Sequence, residues 1–377
     1  MKFLSLGKID KNIIPIIVGC IICFLSRLSF RFSEDSELFN HPIIPNILVQ
    51  FSYIFTIIPF LIFKYRTDNK HIKNNYLEDI TQKKITKGKW LYIFLYNFID
   101  IIQSIIFSYL IELKSNFWIL DICFTCIFYY LIFKIKLYKH HYLSLILIII
   151  LGIILDFICE NLQDDITKNF GIVLLRLLRE TIYSSNYALV KYLFEKKFCS
   201  IYEISLSNGI LGLLFLIILS IFDHYFFKYD DFSKYFDKFN IKELLVMIIL
   251  MITQLGLYLC ILIIIKANTP CHIFIIFVFG QLACYVDFSK NSILFMVFLL
   301  LILFMSLIFN EIIEINCFGL AKNTKKNIMK RARMDTEDLL ILDNNLIKEE
   351  EEDLDFEKND LDTKDLNKDI QPEEIYD

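Results

Sequence analysis

The sequence is poor in the residues that break helices and shape loops: 377 residues hold 10 glycines and 6 prolines, against 37 phenylalanines and 20 tyrosines. It also lacks the evenly spread charge with which a soluble domain of this length covers its surface. Polar residues gather in short breaks between long apolar runs, the pattern of a polytopic membrane protein. These absences exclude a soluble enzyme, a secreted disulfide scaffold and a nucleic-acid-binding module. The runs show no period-two alternation, which excludes a β-barrel.

What is present is ten apolar runs. A helix rises 1.5 Å per residue, so runs of about 17–25 residues are long enough to cross a bilayer. The predicted spans 1 to 10 are Ile13–Phe30, Ile43–Phe63, Trp90–Ile111, Phe117–Phe133, Tyr142–Ile158, Gly171–Val190, Ile201–Phe222, Leu244–Ile265, Cys271–Val286 and Ile293–Phe309. Spans 5, 7, 8 and 10 are nearly continuous Leu, Ile and Phe and read as lipid-facing. Spans 1, 3, 4 and 6 carry ionisable residues away from their ends and are expected to face inward.

Lys and Arg near the span ends set the orientation. The two termini and the even-numbered loops hold 24 of them and the odd-numbered loops hold 8, which places both termini in the cytosol. Span 1 has no short apolar stretch followed by a small-residue cleavage site, so it is expected to stay as an uncleaved signal anchor. Of the ten Cys only Cys159 falls at a luminal edge, which leaves no partner for a disulfide framework. Cys20/Cys23 and Cys123/Cys126 fit C-x-x-C inside helices, where such thiols pack as small apolar groups. No four-ligand metal pattern and no cofactor motif is present.

Arg27, Asp100, Asp121, Arg176, Arg179 and Glu180 lie within spans. Each costs about 2–4 kcal/mol on insertion scales, so each needs a partner or a wet cavity. Asn97, Asp100, Ser104 and Ser108 fall on one face of span 3. Arg176, Arg179, Glu180, Tyr183 and Tyr187 form a second polar face on span 6. Asn46, Gln50 and Tyr53 add to these from span 2, Gln254 and Tyr258 from span 8, and His272 and Gln281 from span 9. Several polar stripes converging in one bundle point to a central aqueous cavity, with Asn97, Asp100, Ser104, Arg176, Arg179, Glu180, Tyr183, Gln254 and Gln281 as its candidate lining. Arg27 and Asp121 share a luminal depth and are expected to act as a gate, Asp121 pairing with an arginine when the cytosolic side is open.

Four stretches carry a family likeness. They are Phe39-Asn40-His41-Pro42 before span 2; span 4 with Lys134, Lys136 and the following Tyr142–Asp156 around Gly152; Phe194-Glu195-Lys196-Lys197-Phe198 followed by Asn208-Gly209-x-x-Gly212; and the Lys266–Pro270 link. Their order resembles the drug/metabolite transporter superfamily, and within it the F-type, nucleotide-sugar-transporter-like branch of solute carrier family 35. The resemblance covers roughly residues 13–315. It implies an all-α polytopic membrane protein of ten helices in two five-helix inverted repeats, residues 13–158 and 171–315, flanked by a cytosolic N-terminus (1–12) and a cytosolic tail (316–377). It also implies a small solute moved by alternating access. Where that branch carries Arg in span 4, this chain has Asp121, and the Arg of its span 9 is absent near Gly280 and Gln281. The sign of span 4 is therefore reversed, and only span 6 and Arg27 remain to face an anionic cargo.

Residues 335–377 hold eighteen Asp or Glu and four Lys, a charge of −14 against +10 for the rest of the chain. Such a segment cannot bury enough apolar surface to fold and is predicted to be disordered. Within it Asp335-Thr336-Glu337-Asp338-Leu339-Leu340 fits the acidic dileucine pattern; Asp335, Leu339 and Leu340 would be read by a clathrin adaptor and send the protein to endomembranes. The partners expected are thus the bilayer, a small solute and that adaptor, with no nucleic acid. Two other readings stay open. One is a non-transporting membrane adaptor acting through the tail. The other is a membrane-embedded transferase with carboxylates from Ser33–Glu37 or Asp164-Asp165.

Overall fold

The computed structural model describes residues 4–6, 13–33, 43–62, 65, 88–109, 117–134, 137–158, 170–222, 241–282, 290–315 and 324. The chain divides into two units, Met1–Ile315 and Asn316–Asp377, and Thr324 alone is described in the second. The Phe39–Pro42 stretch, Lys136, Ser108's side chain, the Asp164-Asp165 pair and the sorting residues Asp335, Leu339 and Leu340 lie outside the described residues.

The described residues form ten α-helices: α1 (Ile14–Ser33), α2 (Ile43–Ile54), α3 (Lys89–Tyr109), α4 (Asp121–Phe133), α5 (Lys139–Ile158), α6 (Phe170–Lys196), α7 (Ile201–Phe222), α8 (Ile241–Ala267), α9 (Ile273–Gln281) and α10 (Lys290–Phe309). Each falls on one of the ten apolar runs. Single 3₁₀ turns, Phe117–Leu120 and Pro270–His272, lead into α4 and α9. Strands β1 (Leu4–Leu6) and β2 (Ile313–Ile315) pair antiparallel, Leu4 opposite Ile315. The Ile-rich runs favour strands by propensity, yet they are helical. A helix satisfies every backbone group within itself, which is what an apolar solvent demands.

Three helical stretches are long and apolar enough to cross a membrane: Ile44–Ile62, Ile201–Ile221 and Glu243–Ala267. The bundle's surface agrees with a membrane protein. On α1, Ile14, Ile17, Ile21 and Leu25 are exposed at helical spacing, while Ser26 and Ser29 on the same helix are buried. An apolar exterior around a polar interior suits lipid and not water.

Local chemistry fixes the helix ends. At the start of α7, Ser200 Oγ accepts from the Glu203 N–H at 3.0 Å and the Glu203 carboxylate accepts from the Ser200 N–H at 2.8 Å, a reciprocal capping box. Lys89 Nζ joins the same carboxylate at 2.9 Å and ties α3 to it. Pro59 cannot supply an N–H to the carbonyl of Phe55, and the helix after α2 tightens there, with Thr56 N–H bonded back to Tyr53 O at 3.1 Å.

Most helix contacts cross from the first five helices to the last five. α1 packs on α8 and α9, α2 on α7 and α8, α3 on α6 and α7, α4 on α6, and α5 on α10. α8 changes character along its length. Its first turns expose Leu244, Leu245, Ile248, Ile249 and Ile252, as the lipid-facing reading expects, while Leu262, Ile264 and Ile265 at its other end are buried in a cluster with residues of α1 and α6.

Candidate functional site

α7 lies close against α2 because Gly209 and Gly212 face it. A β-carbon on Gly209 would come 2.9 Å from the backbone nitrogen of Ile54, and one on Gly212 would overlap the Gln50 side chain. This approach brings Asn208 beside Asp100. Asn208 Nδ2 donates to Asp100 Oδ2 at 3.0 Å and to the Tyr258 hydroxyl at 3.1 Å. Asn186 of α6 and Gln103 of α3 each direct a side-chain amide to Asp100 Oδ1 at 3.4 Å. One carboxylate thus gathers donors from α3, α6 and α7.

Beside it is a cavity of about 140 Å³ between α2, α3, α6 and α8, with Phe277 of α9 on its wall. Tyrosines supply much of the lining. Tyr53 stacks on Tyr258 with ring centroids 4.2 Å apart, Tyr96 and Tyr258 share a hydroxyl hydrogen bond of 2.7 Å, and Tyr183 meets Tyr187 edge-on at 4.6 Å. Gln254 also lines the cavity and donates to Ser26 Oγ on α1 at 2.6 Å. Asp100 is the single Asp, Glu, Lys, Arg or His among the described residues that line it.

Of the sequence candidates, Asp100, Ser104, Tyr183 and Gln254 meet at this cavity. Asn97 is wholly buried one turn from Asp100 and does not line it, and Gln281, partly buried at the end of α9, does not either. Arg176, Arg179 and Glu180 form a separate cluster. Arg176 Nε lies 2.9 Å and Arg179 Nη1 2.6 Å from Glu180 Oε1, and Glu180 is fully buried. Asp121, also buried, stands next to Glu180 in hydrogen-bonding reach and within the electrostatic influence of Arg179. Ser184 Oγ donates to Asp121 Oδ1 at 3.3 Å. The cluster sits where α4 packs on α6. Arg27, half-buried, sits where α1 packs on α9, its Cγ 3.7 Å from the position a β-carbon would take on Gly280.

The sequence reading missed Asn208, Asn186 and Tyr96. Asn208 was in view only as part of a glycine-containing packing motif. A polar residue directly before two glycines three apart is the signal that finds it, since the glycines bring a neighbouring helix within its reach.

The start of α5 and the turn after α10 hold a smaller cluster, in which ligand-type atoms of His140, His141 and Glu311 lie within 4.8 Å of one another. His140 Nε2 is 3.1 Å from Glu311 Oε1, and His141 Nδ1 accepts the Tyr138 N–H at 3.2 Å. That bond leaves the proton of neutral His141 on Nε2, facing Glu311 at 3.9 Å, so the cluster is held by hydrogen bonds and does not offer His141 as a ligand. Burial, with His140 alongside, pushes His141 down to about 4 against the opposing pull of Glu311. Burial also pushes the Cys199 thiol, in the turn between α6 and α7, up to about 11.

Comparison with known proteins adds no assignment: no protein-family model matches the chain, and no curated protein does.

Proposed function

We propose that the protein is an integral membrane transporter that moves a small solute by alternating access, in the manner of the F-type branch of solute carrier family 35 that its sequence resembles. In this reading all ten helices cross the bilayer, both termini are cytosolic and the chain resides in endomembranes. The observation that carries it is the buried polar cavity around Asp100, enclosed by helices from both halves of the chain. A polar cavity with an intramembrane carboxylate is expensive in lipid, and solute pathways are where such groups are retained.

The contacts support the two-repeat reading. Exchanging each helix of the first five for its counterpart in the second maps α1–α8 onto α6–α3, α1–α9 onto α6–α4, and α2–α8 onto α7–α3, while α2–α7 and α5–α10 map onto themselves. Those pairs are all in contact, as two inverted repeats around a midplane site require. Asp100 and its donors would form the site, and Asp121 with the arginines of α6 would gate it.

The test is uptake into proteoliposomes across nucleotide sugars, nucleobases, thiols and amines. Saturable uptake of one class, lost in Asp100→Ala while the protein still inserts and elutes as the wild type does, is the expected result. No uptake of any class by folded protein, or wild-type uptake in Asp100→Ala, would overturn the reading.

A further inference from the structure

We propose that the cavity binds a small protonated amine, with Asp100 as its counter-ion. This names the cargo class of the transport reading and rests on it only for the translocation step.

Three observations converge. The first is charge: among the described lining residues Asp100 is the one acidic side chain, and none is Lys or Arg. Arg176 and Arg179 are engaged by Glu180 in the separate cluster between α4 and α6. An anionic cargo would meet a carboxylate with no cation to offset it, whereas a cationic one completes a pair.

The second is hydrogen-bond polarity. The side-chain amides of Asn186, Asn208 and Gln103 spend their N–H groups on Asp100. Among the lining residues, the side-chain carbonyl oxygens of Gln50, Gln103 and Asn186 are buried without a partner. The site therefore has acceptors to spare, and a buried acceptor left unmade is costly. An ammonium group is a donor with no acceptor and fits this surplus; a phosphate or carboxylate is the reverse.

The third is the wall. The rings of the stacked Tyr53 and Tyr258 and of the edge-on Tyr183 and Tyr187 border the same space. Aromatic rings attract a desolvated cation through the negative potential over their faces. The volume, about 140 Å³, is well below the roughly 300–1,000 Å³ of sites for drug-sized ligands, so the amine is small. A nucleotide sugar is excluded on size as well as on sign.

Binding can be measured without transport. Full-length protein in nanodiscs is titrated calorimetrically with n-butylammonium, tetramethylammonium, butanol, butyrate and UDP-glucose. Butylammonium is expected to bind best. Tetramethylammonium keeps the charge but donates no hydrogen bond, and should bind at least tenfold more weakly. Asp100→Asn keeps the shape and removes the charge, and should weaken butylammonium binding at least tenfold with the elution profile unchanged. Gln50→Met, which removes one spare acceptor, should narrow the gap between the two cations. Butyrate or UDP-glucose binding more tightly than butylammonium, equal binding by Asp100→Asn, or no butylammonium binding by folded protein at millimolar concentration would each overturn the proposal. Labelled butylammonium in proteoliposomes separates the two readings. Binding without uptake removes the transport reading and leaves the amine site. Uptake of an anion without amine binding does the opposite.

Discussion

Gly209 meets the backbone of α2 at Ile54, and the space between them is too small for a methyl group. Gly209→Ala must push α7 off α2 and should destabilise the fold by roughly 1–3 kcal/mol. Gly212→Ala displaces only the end of the Gln50 side chain, so it should alter solute affinity more than melting temperature. Melting curves and uptake measured on both variants check the contrast. A Gly209→Ala protein as stable as the wild type would refute it.

Glu180 and Asp121 should differ sharply on neutralisation. Glu180→Gln removes the carboxylate that two buried arginines share, and breaking a buried pair costs about 3–5 kcal/mol, so loss of folded protein is expected. Asp121→Asn keeps an acceptor for Ser184 and should insert and fold while uptake falls. Wild-type uptake in Asp121→Asn would remove Asp121 from the gate.

Lys191 on α6 caps α8. Its Nζ donates to the carbonyls of Ile265 at 2.9 Å and Asn268 at 2.7 Å, and it pairs with Glu195 at 3.1 Å. Lys191→Met leaves helix-end carbonyls unmet and should cost about 2–3 kcal/mol. Glu195 is half exposed, so Glu195→Gln should change stability little. Denaturation of the two variants side by side tests which partner of the pair matters.

His141, just before the Tyr142–Ile158 run, titrates near 4 in the folded protein instead of near its ordinary 6.5. Between those values the unfolded chain binds more protons than the folded one. The stabilisation is thus complete above about pH 6.5 and is lost as pH falls toward 4. His141→Gln should flatten that part of the stability profile; an unchanged slope would assign it to other groups.

Replacing Leu339 and Leu340 together with Ala should move the protein from endomembranes to the cell surface, as seen by imaging a tagged chain. An unchanged distribution would mark the acidic dileucine as a chance match.

The helices were legible because lipid leaves the backbone no alternative, and each apolar run marks one. Asp100, Ser104, Tyr183 and Gln254 were legible because a polar residue inside such a run is costly and rarely idle. What sequence gave poorly was azimuth. Asp100 and Glu180 both fall near the middle of their runs, yet they belong to two sites because α6 presents its first turns to α4 and its later ones to the cavity. The buried end of α8 was not legible because its burial comes from its neighbours and not from its own composition. Asn208 was hidden for the same reason: its value depends on how closely α2 approaches.

The contacts also bear on how the chain is made. Among the described residues of the first five helices, α2 and α3 touch only slightly, and the extensive partners of these helices lie in the second half. Until α6 to α10 have been synthesised, Asp100 has no Asn208 or Asn186 and α1 has no α8. The nascent half must therefore wait in the membrane with its polar faces unmet, and assembly is a late, long-range event. Biogenesis of this protein should depend on an insertase or chaperone that shelters α1 to α5, and a truncation after α5 should be degraded rather than accumulate.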